Sequence, residues 1–529
     1  MGFPDRYSRV SEVPTRPTTD TGRKGFDVAD LYRGPVGTPD QSEQAGAAQA
    51  LDEKLRQGYF WLVNHAIISP FYDIEYNDAP PSIFRFGDRK VEVTLPTDQS
   101  YSSYALAPLL NLAVRRRCLL VGGPGRGKTA IAILMGVLSG YSLRDIKRAI
   151  QHGQPQMTIA DLLGNPLPAT LVKAESMDEV KIAWRKWLSM RVKIIDEYNR
   201  IPTRTQSALL TTMADNYAEL YDQIYECPPA AWYLTANDDA GGGTYQVIEA
   251  LRDRIDIVVK ALHFNTRFLD ELLLRIEDGI QPEEVVPEQI IFTPDELDAM
   301  EVEIRSVEFP APLRRRLEFF ASHFEFFEPA ANQLEYMTKD TVKLASIEFS
   351  ALSAEETGKH PLADMGSQTL NGLSVRALMT CIVFIKAMAY FRGDRSVTFE
   401  DMRQIIPFVL HDKLSQNVDS PVFEKEGAVT LRVDRISWLR GLFDHSCKEF
   451  DRLGLDRDDP VTELMEQFER GLEGIGEVEI RKRLAAIEGV LRKWASGRKL
   501  YGHMYDDILK LKYLHQRYTN YLSWLKWQG

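Results

Sequence analysis

The segment Gly122-Gly-Pro-Gly-Arg-Gly-Lys128-Thr129 constrains this chain more than any other. It fits the pattern G-x-x-x-x-G-K-T, with a strand-like Leu119-Leu-Val121 before it and a helix-like Ala130-Ile-Ala-Ile-Leu-Met135 after it. That setting is what a phosphate-binding loop requires. Glycines let backbone N–H groups turn inward around phosphates, and the following helix N-terminus adds positive potential. Lys128 can then reach the β and γ phosphates, while the Thr129 hydroxyl can bind Mg²⁺. Gly122, Gly123, Pro124, Gly125, Arg126, Gly127, Lys128, Thr129 and Ala130 are the expected nucleotide-binding residues, with ATP and Mg²⁺ as the expected cofactors.

A magnesium nucleotide needs a second carboxylate at the end of a neighbouring strand, and Val192-Lys-Ile-Ile-Asp196-Glu197 is an apolar run closing on two acids. Asp196 is placed to hold the metal's water shell, and Glu197 to act as the base that deprotonates attacking water. Lys193 interrupts the run and counts against a fully buried central strand. A third strand candidate, Ala230 to Ala236, ends in Asn237, whose amide can hydrogen-bond the water and sense the γ-phosphate. A turn-forming asparagine is the other reading, because Asp238-Asp-Ala-Gly-Gly-Gly follows it. Leu251-Arg252-Asp-Arg254-Ile-Asp256 offers two arginines at a helix end, suited to reach a neighbouring subunit's γ-phosphate or, more simply, to pair on the surface. An arginine at Arg376, opening a long helical run, could fold a lid onto the nucleotide.

Around these motifs the periodicity divides the chain. Residues 1–45, rich in Pro, Thr, Gly and Asp, read as a flexible arm. Residues 46–100 read as a small extension, with a helix from about Ala47 to Ile68 and a hairpin of Ser82–Phe86 with Lys90–Leu95. Residues 101–265 alternate apolar runs with helical segments, the pattern of an α/β core whose parallel sheet carries helices on both faces. Thr293-Pro-Asp-Glu opens a helical lid over 290–414, with Thr293 as N-cap. Residues 415–529 read as an all-α region, in which Tyr501, Tyr505, Tyr513, Tyr518, Tyr521, Trp524 and Trp527 at helical spacing suit core or an anchor surface.

Charge narrows the function. A formal net charge of -12 repels phosphate backbones, and no basic run offsets it, since Arg115-Arg116-Arg117 suits the end of a helix. Nucleic-acid binding is therefore not expected. The four cysteines have no Cys-x-x-Cys spacing, so they read as plain thiols of a reducing compartment. Neither a signal peptide nor a bilayer-spanning run stands out, so no membrane insertion is expected and the location reads as cytoplasmic.

Over roughly residues 100–415 the chain resembles the AAA+ superfamily and, within it, the MoxR family. Asp196-Glu-Tyr-Asn-Arg200 and the helix after it are similar to that family's Asp-Glu-Ile-Asn-Arg segment, and Ile159-Ala-Asp161-Leu-Leu-Gly164 to its Ser-Asp-hydrophobic-x-Gly. Gly243-Thr-Tyr, Arg254, Gly372 to Ala377 and Val397 to Asp401 also match. The resemblance implies sensor 1 for Asn237, an arginine finger for Arg254 and sensor 2 for Arg376, whereas Arg252 has no clear counterpart. Asp238 and Val375 stand where the family usually has proline. By position, Gln151 to Met190 takes the place of the helix-2 insertion and Asn216 to Glu226 that of the presensor hairpin. The family further implies a homo-oligomeric ring, usually a hexamer, that remodels or activates a protein client, often with a von Willebrand factor A domain partner. Two alternatives remain at this point: a nucleic-acid-coupled AAA+ motor of the McrB or MCM kind, and a nucleotide-gated assembly scaffold.

Overall fold

A computed structural model of the chain describes residues 50–87, 91–171, 180–237, 249–279, 281–325, 365–424, 428–456, 459–496 and 502–528. The expected arm at 1–45, Asp238, the Gly243-Thr-Tyr match and Tyr501 lie outside the described residues.

Five parallel strands form the central sheet: β1 (Arg117–Val121), β2 (Gln151–His152), β3 (Val192–Asp196), β4 (Ala231–Ala236) and β5 (Ile257–Lys260). Their spatial order is β5-β1-β4-β3-β2. All six residues of β4 are buried, as a strand must be when both faces of its sheet are covered. Register places Ala236 beside Val121 and Leu234 beside Ile195, so the carboxyl ends of three strands finish on one edge. Open parallel sheets bind ligands at that edge.

The helices that position the site are α1 (Leu51–Trp61), α2 (Ser103–Val114), α3 (Lys128–Leu138), α4 (Glu249–Arg254), α5 (Pro294–Ser306), α6 (Ala311–Glu325), α7 (Val375–Arg392), α8 (Phe399–Leu410) and α9 (Arg435–Leu453). Helices cover both faces of the sheet, with α2 packing on β1, β4 and β5 and α3 on β3 and β4. A capping box starts α5, in which the Thr293 hydroxyl accepts from the Glu296 N–H and the Glu296 carboxylate from the Thr293 N–H. One continuous hydrophobic core runs from α1 through the sheet and the lid helices α7 and α8 into α9. The expected N-terminal hairpin forms between Ser82–Phe86 and Val91–Leu95, and both strands are exposed along their length.

Three tail helices, α10 (Pro460–Glu469), α11 (Glu477–Ala495) and α12 (Gly502–Gln528), close on a second core of their own. The tail aromatics divide between the two expected roles. Tyr518 is buried in that core, whereas Tyr513, Trp524 and Trp527 are exposed. Among the described residues, no helix is long and apolar enough to cross a membrane.

Lys193 departs from expectation, because it is buried within a strand it was expected to interrupt. Its Nζ donates to the Met190 carbonyl at 2.5 Å and lies 5.8 Å from the centre of the Trp232 ring. A flexible stem thus delivers the amine to the strand's start, where a carbonyl and an aromatic face receive it. Burial pushes its ammonium down from 10.5 to about 8. Between those values the unfolded chain holds the extra proton, so stability should climb as pH rises from about 8 towards 10.5. In urea titrations at pH 8 and pH 10, Lys193→Met should remove that rise, worth roughly 1–3 kcal/mol. An identical pH response in both proteins would show that Lys193 is not the titrating group.

Candidate nucleotide site

The loop between β1 and α3 closes around its own lysine. Gly127, the N-cap of α3, has φ +73°, and Gly125 has the same value, a left-handed conformation that side chains other than glycine adopt with strain. These turns bring Lys128 Nζ to the carbonyl oxygens of Gly122 and Gly123 at 2.7 and 2.8 Å. A third bond runs from Nζ to Asn237 Oδ1 at 3.0 Å. Arg126 leans out of the loop, donating to the Ala261 carbonyl at 3.0 Å and meeting a His263 ring nitrogen at 2.7 Å. From below, the Tyr104 hydroxyl donates to the Arg126 carbonyl at 3.1 Å, and burial raises that phenol's pKa.

The ends of β3 and β4 supply the acids and the amide. One Asp196 oxygen accepts from the Thr129 hydroxyl at 2.8 Å and from the Thr235 hydroxyl at 2.6 Å; the other faces His152 Nδ1 at 3.3 Å. Thr235 Oγ1 also accepts the Glu197 N–H at 2.9 Å. That bond helps hold Glu197 at φ +51°, a sparsely populated conformation of the kind that clusters at functional sites. Glu197 Oε1 accepts from Asn237 Nδ2 at 3.0 Å, while its Oε2 pairs with Arg200 Nε at 3.2 Å. Asn237 therefore bridges Lys128 and Glu197. Its amide has only one satisfying orientation there, because an ammonium only donates and a carboxylate only accepts.

Chemically, this edge offers a cation for phosphate oxygens, a hydroxyl and a carboxylate as hard oxygen donors that fit Mg²⁺, and a second carboxylate steadied by an amide. The loop residues with Asp196, Glu197 and Asn237 are brought together; the three candidate arginines lie away from this cluster, two of them bonded elsewhere. Arg254 folds back onto the Ala250 carbonyl at 2.9 Å, Arg252 is exposed, and Arg376 pairs with Asp253.

Sequence reading missed Thr235, His152 and Gly153. The Gly153 N–H donates to the Asp196 carbonyl at 2.7 Å, and a Cβ on Gly153 would stand 2.2 Å from the Glu197 carbonyl oxygen. The available signal was faint, since β2 is a strand of two residues ending in His152.

Residues 117–257 match the model of the ATPase family associated with various cellular activities, and residues 367–430 match that of the AAA lid domain. The chain is 24% identical over 314 residues to Chaperone MoxR1 of Mycobacterium tuberculosis, covering 59% of this chain and 71% of that one. A crystal structure from Cytophaga hutchinsonii superimposes with a TM-score of 0.44 at 20% identity, covering 64% of this chain and 89% of the other. A phosphate loop on a parallel sheet of this order, followed by a helical lid, defines an AAA+ ATPase. Within that class its similarity is to a MoxR chaperone.

Because Gly153 has no room for a side chain, Gly153→Ala should push the Glu197 segment out of place. Steady-state ATPase assays should show a loss of about tenfold or more, as misplacement of a reacting group by an ångström can cost about a hundredfold. Retention of the full rate would mean that the Glu197 loop tolerates displacement.

Proposed function

We propose that this chain assembles into a ring, with six subunits as the expected number, and spends ATP hydrolysis on remodelling or activating a protein client. The observation that carries the catalytic part is the continuous path Lys128–Asn237–Glu197, which ties the phosphate cation to the proposed base through one amide. In this reading the loop N–H groups and Lys128 bind the β and γ phosphates, and Thr129 and Asp196 hold Mg²⁺. Mg²⁺ supplies charge neutralisation at the phosphate oxygens. Glu197 takes the proton of the attacking water, Asn237 orients that water, and Arg254 or Arg252 stabilises the charge developing on a neighbour's γ-phosphate.

The mycobacterial relative is a chaperone by name, which supports a protein client rather than a nucleic-acid track. So does the net charge of -12. A von Willebrand factor A domain protein is the proposed partner on the strength of the family resemblance. A reducing, cytoplasmic location fits four buried free thiols.

Glu197→Gln should leave ATP binding intact while turnover falls roughly a hundredfold, because a base acts mainly in the transition state. Lys128→Ala should lose binding instead. Wild-type hydrolysis by the Glu197→Gln protein would remove Glu197 from the role of base. DNA, single- or double-stranded, should not stimulate turnover at roughly 150 mM salt, where weak electrostatic capture is screened. A severalfold stimulation there would favour the nucleic-acid motor.

If the finger works across a subunit boundary, mixing Arg254→Ala chains with Lys128→Ala chains should restore interfaces in which an intact loop meets an intact finger. Each variant alone should be inert. Mass photometry of the Glu197→Gln protein should show ATP favouring the ring; no recovered rate in mixtures shown to co-assemble would place the finger in its own subunit, and Arg252→Ala in parallel would say which arginine serves.

A further inference from the structure

The helix that carries both candidate fingers is gripped by the lid. Arg376, on α7, pairs with one oxygen of the Asp253 carboxylate, and the Ser374 hydroxyl lies 3.3 Å from the other. Lys413, buried just beyond α8, donates from Nζ to the Asp253 carbonyl at 2.7 Å. Three residues on, the buried Asp256 carboxylate accepts from the Thr380 hydroxyl of α7 at 2.7 Å and from the Arg117 N–H and guanidinium at 3.1 Å each.

Helix α4 has six residues, too few to hold a direction unaided. An acid in its last turn also meets the negative pole of the helix dipole, which is unfavourable unless outside cations offset it. Arg376 and Lys413 are those cations, and both come from the lid. Asp253 thus makes little sense as a helix residue and good sense as a tie between two bodies. It stands one residue from Arg252 on one side and from Arg254 on the other.

We propose that Asp253 is a positioning residue for hydrolysis: bonded to Arg376, it locks the finger helix to the lid. This rests on the reading that α4 presents its arginine to a neighbouring subunit. Lid and finger then move as one piece, so that a change of lid position in one subunit is felt at the next subunit's phosphate.

The test uses the full chain with Asp253→Asn, Arg376→Ala and the double variant. Hydrogen exchange across residues 249–256 should speed up about fivefold or more in each single variant, and turnover should fall about five- to twentyfold while the ATP Kd stays within about twofold of wild type. The double variant should be no worse than either single one, as expected for two ends of one contact. Asp253→Asn chains mixed with Lys128→Ala chains should recover activity, because the Lys128→Ala chain still carries an intact finger helix. Unchanged exchange in Asp253→Asn would overturn the lock. Turnover lost in Arg376→Ala but kept in Asp253→Asn would place the effect of Arg376 outside this contact and overturn the tie as well. An inert wild type would sink the ATPase reading alone, since the exchange measurement judges the lock without any turnover.

Discussion

Everything at the nucleotide edge depends on the parallel pairing of β4 with β1 on one side and β3 on the other. That pairing sets Ala236 beside Val121 and Leu234 beside Ile195, so the phosphate loop, the Thr235 hydroxyl and the acids all leave the sheet at one level. A slip of one residue would turn Thr235 to the opposite face and remove the hydroxyl that joins Asp196 to the Glu197 N–H. The burial of β4 on both faces is what makes such a slip costly. Catalytic geometry is here a by-product of core packing.

The parts legible in the sequence are those whose signal is local. A glycine-lysine loop needs only its own residues, and the strand-to-helix setting of Gly122 to Thr129 could be read from neighbouring apolar runs. The capping box at Thr293 and the tail helices at Pro460–Glu469 and Glu477–Ala495 were open to the same local reading. Lys193 was misjudged because burial of a lysine is decided by where its stem can lead the amine, and the Met190 carbonyl and Trp232 ring that receive it become neighbours only in the fold. Strand β2 escaped notice because two residues carry no period. Gly153 is constrained by the Glu197 carbonyl, far along the chain, and no local rule reports that.

The arginines show the same limit from another side. Their types and spacing suggested phosphate recognition, yet residue type alone does not say which carboxylate an arginine meets first. Arg376 meets Asp253, and Arg115 meets Asp298 and Glu301. The first joins α4 to the lid helix α7 and the second joins the end of α2 to α5, both across long separations in sequence. The Arg376 pair is half exposed and adds little to stability, whereas Arg115 is mostly buried beside its acids. What they do supply is direction, because a planar guanidinium on a carboxylate fixes orientation as well as distance.

Direction is what a motor needs between its parts. The buried contacts that Asp256 makes with Thr380 and Arg117 tie β1, the strand that feeds the phosphate loop, to the lid helix α7 through a single carboxylate. A buried carboxylate with both oxygens bonded is expensive to displace, since removing a donor leaves charge poorly paired in the core. The contact of Asp253 with Arg376, by contrast, is half exposed and cheap to break. Side by side, the two acids are therefore a firm joint and a lighter tie to the same lid. A lid that pivots at Asp256 while it keeps its bond to Asp253 would carry α4 with it without disturbing β1, and so could alter the arginines offered outward while the phosphate loop keeps its shape.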